Sequence, residues 1–216
     1  MTTPRRAVPR LVFAIGNASR GDDALGPLLA QTLRDEGWFD GGPDGPAELI
    51  EVYQLQVEDA LELQGRRKVL FIDADRRSSA GAAAQGSDEA PVAGCAGVTL
   101  RPVHAAPALP VFSHALEPAA LLAVGARVCD QPVPPASVLA IAGTTFELGA
   151  PLSAAARDRL PAALALARAW LGADLGVDLG SDSDADLGPD LGPLSQGAAS
   201  APSTKHSQAV HSVWLG

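Results

Sequence analysis

Hydrophobic and polar positions along this chain alternate between two periods. Leu11-Val12-Phe13-Ala14-Ile15 is an unbroken apolar run of strand length. It breaks at Gly16-Asn17, turns through Ser19-Arg20-Gly21 and meets two adjacent carboxylates, Asp22 and Asp23. Apolar residues then recur at Leu25, Leu28, Leu29 and Leu33, the spacing of one helix face. Strand, tight loop and helix in that order open an α/β domain. This first helix is expected over residues 24–37, with Pro27 tolerable in its opening turn. Residues 47–52 predict a second strand, and 57–63 a short helix with Glu58, Asp59 and Glu62 on its wet side. Residues 68–74 carry a Val-Leu-Phe-Ile run that fits a strand buried on both faces, as in a parallel sheet. Residues 98–103 and 137–142 predict further strands. Helices are expected over 114–128 and 153–171, capped by Ser113 and Ser153, with Trp170 inward and Pro161 kinking or dividing the second. Residues 75–97, rich in Ala, Gly and Ser, predict a mobile surface loop. Strands alternating with helices point to a three-layer α/β domain, whose strand order the pattern leaves open.

The periodicity stops at Ala173. Asp-Leu-Gly recurs from Asp174, Asp178, Asp186 and Asp190, followed by a Ser-, Ala- and Pro-rich end. The expected division is a folded domain over 1–172 and a disordered, low-complexity acidic tail over 173–216. Asp182, Asp184 and Asp186 have calcium-loop spacing, but Leu187 stands where Gly is needed and Pro193 where the closing Glu belongs. Of the 216 residues 47% are hydrophobic but only 4% aromatic, so Ala and Leu must do most of the packing. The net charge of -9, without a basic cluster, argues against nucleic acid as a partner. No stretch is long enough to span a bilayer. Arg5-Arg6 before an apolar run is not read as a signal peptide, because the run is short and reaches Gly16-Asn17 at once. The two cysteines, Cys95 and Cys129, lie far apart, which suggests neither a zinc site nor a disulfide framework and fits a reducing cytoplasm.

Asp is a favoured helix cap, and carboxylates suit the positive end of a helix, but only one of two neighbours can cap. Gly16 and Gly21 echo a dinucleotide-binding loop without its spacing, and two carboxylates at a helix start repel phosphate. The opening loop therefore suits a cation or a proton transfer. A parallel sheet gathers its carboxyl-end loops on one edge. Asp23 leaving the first strand, Asp73 ending the 68–74 strand and His114 opening a helix can meet there. Each also has an ordinary role alone: Asp23 as a cap, Asp73 as a strand-end turn residue, His114 as a helix-start residue. Two carboxylates and an imidazole form the mixed set that zinc hydrolases use with one position open to water, and nickel accepts it too. There is no Gly-x-Ser-x-Gly elbow and no His-Glu-x-x-His. Ser113 adjoins His114, and adjacent residues rarely place nucleophile and base correctly.

Gly16-Asn17-x-x-Arg20-Gly21-Asp22-Asp23-x-x-Gly26 resembles the opening motif of the hydrogenase maturation endopeptidases. These enzymes clip a C-terminal extension from the large subunit of nickel-iron hydrogenases. Phe71-Ile72-Asp73-Ala74 resembles the family's second motif and Ser113-His114 its third. Tyr53-Gln54-Leu55 is similar to the subgroup acting on soluble, NAD-linked hydrogenases, and Ala24 stands where the family usually has Gly. The resemblance runs to about Gly172. It implies a twisted, largely parallel sheet with helices on both faces, and a cytoplasmic peptidase of aspartic type. Its partner would be the hydrogenase large-subunit precursor. By the same resemblance Asp23, Asp73 and His114 recognise nickel already seated in that precursor, so the metal arrives with the substrate. Catalysis would fall to Asp22, Asp23 and Asp73. Water would be oriented by the metal or Asp73, with Asp22 or Asp23 as base. A close carboxylate pair could keep one pKa raised toward neutrality. Two other readings stay open: a non-catalytic, nickel-dependent chaperone, and a small-molecule enzyme using a carboxylate-bound cation.

Overall fold

The computed structural model describes residues 8–40, 47–76, 93–108 and 116–173. They build one six-stranded sheet in the order β2-β1-β3-β6-β5-β4. The strands are β1 (Arg10–Ile15), β2 (Ala47–Val52), β3 (Lys68–Asp75), β4 (Ala93–Cys95), β5 (Val98–Val103) and β6 (Ala136–Ala142). β2, β1, β3 and β6 run parallel, while β5 and β4 add an antiparallel flank. The helices are α1 (Leu25–Asp35), α2 (Pro118–Val128) and α3 (Ala154–Gly172), with 3-10 segments at Gly21–Ala24 and Val57–Leu63.

The central strands are apolar without a break because both their faces are covered. Val12, Leu70, Ile72, Leu139 and Ile141 pack under α1 and α3, against Leu25, Leu29, Leu33, Ala163, Ala167 and Trp170. Leu11, Phe13, Val69, Phe71 and Val138 face the other way, against Ala60, Leu63, Leu121 and Val124. Phe13 and Phe71, directly opposite in the β1–β3 register, stack with ring centroids 5.3 Å apart. These are the three layers expected of the sequence.

The order of the strands places the site. From β1 the chain crosses to β2 on one side through α1, then returns past β1 to β3 through the 57–63 turn. The two connections cover opposite faces of the sheet, as right-handed crossovers in opposite directions require. The crevice between them opens at the carboxyl ends of β1 and β3, the switch point where ligands bind in such sheets.

The structure departs from the expected elements at three places. β4 falls inside the stretch read as a loop. It pairs with β5 across the Ala96-Gly97 turn, with Gly97 at φ +81°, and small residues had hidden it. β5 and β4 are antiparallel, so the parallel part of the sheet is four strands wide. α2 begins at Pro118 and not at His114. Proline confines the residue before it to extended backbone, and Glu117 sits at φ −80°, ψ 156°. α3 runs as one helix through Pro161. Ser153 caps it as expected, its hydroxyl accepting from the Ala156 N–H at 3.1 Å. The mobility expected of 77–92 and the disorder expected of 174–216 fall on residues outside those described. No helix among the described residues is long and apolar enough to cross a membrane.

Candidate active site

The opening loop folds flat against the end of β1. Gly16 has φ +133°, and a Cβ there would lie 2.0 Å from the Asp23 carbonyl oxygen. A Cβ on Gly26 would lie 2.2 Å from the Ile15 carbonyl oxygen. These two glycines let the turn after β1 double back onto the strand it leaves. The Gly16 N–H donates to the Val52 carbonyl at 2.9 Å, tying the loop to the end of β2 as well.

Neither carboxylate in this loop caps α1. Asp22 and Asp23 lie in a 3-10 turn ahead of the helix, and Ala24 holds the N-cap position without a side-chain bond. The Asp23 carboxylate instead accepts from the Asn17 N–H at 3.0 Å. Asp22, the neighbour, is fully buried and points away toward residues 144–153. Burial pushes its carboxyl up. Hydrogen bonds from Thr144, Ser153 and Thr145 outweigh that and hold it below the usual carboxylate range. A buried, low-pKa carboxylate already accepting from several donors is poorly suited to take a proton from a substrate water, which revises the expectation that Asp22 is catalytic.

Asp73 sits at the end of β3, in register with Ala140 of β6. Its carboxyl is raised to about 7. Burial is the main cause, opposed by a hydrogen bond from the Ala74 N–H and reinforced by the negative charges of Asp23, Asp75 and Glu117. The structure thus brings Asp23 and Asp73 into electrostatic reach of each other at the switch point, with Glu117, which the sequence reading missed, on the same edge. His114 lies outside the described residues. Leu116, two residues on, donates its N–H to the Leu55 carbonyl at 3.0 Å, drawing the segment before α2 toward the loop after β2. Among the described residues no three His, Cys, Asp or Glu side chains are grouped to hold a metal ion.

Two more features flank these carboxylates. An open groove of about 640 Å³ runs between the loops after β1 and β2, lined by Gly16, Ala18, Tyr53, Gln54 and Gln56 among others. Tyr53 is 77% exposed there, whereas Leu55 is buried. On the other side Phe146 anchors two arginines. Arg20 Nε donates to its carbonyl at 3.2 Å, and the Arg76 guanidinium lies 4.0 Å from its ring centroid. Ser153 was legible from the sequence as a helix cap. Its bond to Asp22 was not, because the two are 131 positions apart.

No family model and no curated protein matches the sequence. Solved structures do match. The hydrogenase maturating endopeptidase HybD from E. coli superposes with a TM-score of 0.51 at 16% identity, over 75% of this chain and 91% of that one. An endopeptidase from Escherichia coli, solved in solution, gives the same score and identity over 76% of this chain and 94% of its own. The chain has the fold of a hydrogenase maturation endopeptidase.

Proposed function

We propose that this chain is a hydrogenase maturation endopeptidase that removes the C-terminal extension of a nickel-iron hydrogenase large-subunit precursor. The observation that carries the reading is Asp73: a carboxyl titrating near 7, beside Asp23, at the switch point of this fold. A group of that pKa is suited to give and take protons at neutral pH. A structural turn residue would gain nothing from being surrounded by Asp23, Asp75 and Glu117.

In this account nickel is part of the substrate, seated in the precursor before cleavage, and it polarises the region of the scissile bond. Two carboxylates alone are a sparse ligand set for a resident ion, which favours a metal that arrives already coordinated. Asp23 and Asp73 approach it from the sheet edge, and His114 supplies the third contact from the segment before α2. Asp73 takes the proton from the attacking water and returns it to the leaving amine. Asp23, held by the Asn17 N–H, keeps a negative charge beside it. The groove past Tyr53 and Gln54 receives the precursor next to these groups, and we assign the choice of a soluble, NAD-linked hydrogenase to it. The reaction belongs in the cytoplasm, where such precursors are loaded.

Purified nickel-loaded precursor incubated with this protein tests the reading by intact-mass measurement. Loss of a C-terminal fragment is expected, and the nickel-free precursor should stay whole. Stable complex formation without loss of mass would identify a chaperone instead.

A further inference from the structure

Among the described residues, Arg10 and Asp22 are the buried charged side chains. Arg10 lies at the amino end of the sheet, and Asp22 at the end that carries the candidate site. Asp22 Oδ1 accepts from the Ser153 N–H at 2.7 Å. Its Oδ2 accepts from the Thr144 N–H at 2.7 Å, the Ser153 hydroxyl at 2.8 Å, the Thr145 N–H at 3.1 Å and the Thr144 hydroxyl at 3.3 Å. Every group facing the carboxylate can donate. An amide in its place would turn an NH2 toward one of those donors, so only an ionised carboxylate satisfies the whole set.

The backbone around it is joined in the same sense. The Asp22 N–H donates to the Thr145 carbonyl at 2.6 Å, Gly21 N–H to Ala150 at 3.1 Å, and Gly149 N–H to Ser19 at 2.7 Å. Gly21, at φ +53°, would place a Cβ 2.5 Å from the Thr145 carbonyl oxygen, and a Cβ on Gly143 would lie 2.9 Å from the Asp22 Cβ. The Ser153 hydroxyl meanwhile caps α3. One carboxylate therefore couples three pieces of chain: the turn after β1, the loop after β6 and the start of α3.

We infer that Asp22 is a positioning residue that clamps the turn carrying Asp23, with Ser153, Thr144 and Thr145 as the other half of the clamp. Asp23 is one residue on, in the same 3-10 turn. With Asp22 locked on one side and the Asn17 N–H bonded to Asp23 Oδ2 on the other, the Asp23 carboxylate has one presentation toward Asp73. Asp22 itself does not meet the substrate. This inference rests on the peptidase reading for its catalytic consequence and on the geometry alone for its structural one. A reacting group displaced by about 1 Å can lose about a hundredfold in rate, so a clamp of this kind controls activity without touching the chemistry.

The test uses the full chain and three variants, Asp22→Asn, Ser153→Ala and Ser153→Thr. Each is followed by single-turnover cleavage of nickel-loaded precursor, by precursor binding and by amide NMR. The Asn17 amide, bonded to Asp23, reports where that carboxylate stands. Asp22→Asn and Ser153→Ala should slow cleavage about tenfold or more, leave precursor binding nearly unchanged and shift the Asn17 amide. Ser153→Thr, which keeps the hydroxyl, should restore both the rate and the amide position. Slow cleavage by a folded Asp22→Asn protein whose Asn17 amide has not moved would overturn the inference, since Asp22 would then act on the substrate. Normal cleavage with a displaced amide would overturn it too. If Asp22→Asn does not fold, Ser153→Ala, which leaves the carboxylate in place, gives the same readings. If the wild-type chain cleaves no precursor, the peptidase reading fails, while the Asn17 shift still decides whether the clamp exists.

Discussion

The two ends of the sheet treat charge in opposite ways. At the amino end, Lys68 Nζ donates to the carbonyls of Trp170 and Ala173 at 2.7 and 2.9 Å and lies 4.4 Å from the Trp170 ring centroid. Arg10 reaches the same Ala173 carbonyl at 3.4 Å. Two cations meet the negative end of α3, the arrangement that stabilises a helix C-terminus. At the carboxyl end, Asp73 is half-buried and faces Asp23, Asp75 and Glu117, all of its own sign. One end matches each charge with its opposite and holds the fold together. The other keeps like charges close, which costs stability and produces a carboxyl able to exchange protons near neutral pH. Asp22 belongs to the carboxyl end by position and to the first kind by chemistry.

Substitutions that remove the mismatched charges should have the largest effect. Asp23→Asn, Asp73→Asn and His114→Ala should each lower precursor processing by about a hundredfold or more while leaving a folded protein, measured by gel shift beside thermal melts. Asp73→Asn should also be more stable than wild type at neutral pH. The folded pKa of Asp73 is raised above its unfolded value. Its ionisation therefore favours the unfolded chain, with a cost that is absent below about pH 4, grows as pH rises and is complete above about pH 7. The melting-temperature gap between variant and wild type should open over that window. Equal melts of the two proteins at pH 8 would remove the burial argument.

Asp22→Ala should rank next, as a loss of stability and not only of activity. It leaves the N–H groups of Thr144, Thr145 and Ser153 without their acceptor, about 3 kcal/mol or more by urea unfolding. The folded pKa of Asp22 is depressed, so its contribution is present above the unfolded pKa and is lost as pH falls through the folded one. The penalty should therefore shrink in acid. Lys68→Met, at the matched end, should cost about 1 kcal/mol and leave processing intact, because nothing it touches reaches the carboxyl-end edge. Smallest of all is truncation after Ala173. The chain passes that residue at the amino end of the sheet, away from the site, and the change in stability should stay within about 0.5 kcal/mol. Truncation one residue earlier should cost more, because the Ala173 carbonyl receives both Lys68 and Arg10.

Elements with strong local signals were legible in the sequence. β2 and β5 fall on the expected residues because short apolar runs between turn residues fix both ends. β4 was not legible, since Ala93-Gly94-Cys95 has no periodicity and becomes a strand only by pairing with Val98, Thr99 and Leu100. The start of α2 was written in Pro118, a signal that outweighs the Ser113 cap. Strand order is a property of the whole chain and could not be read from any window. The same holds for the site. Asp23 and Asp73 were readable as strand-end carboxylates. What separates Asp22 from Asp23, identical and adjacent in sequence, is a set of donors more than 120 positions away.

The pH dependence of single-turnover processing tests the central claim most directly. With nickel-loaded precursor at saturating concentration, the wild-type rate should rise from acid to neutral pH with an inflection near 7, as Asp73 ionises. Asp73→Asn should show a low rate without that inflection. A rate that is flat through neutrality, or near-normal processing by Asp73→Asn, would contradict the assignment of the chemistry to this edge of the sheet.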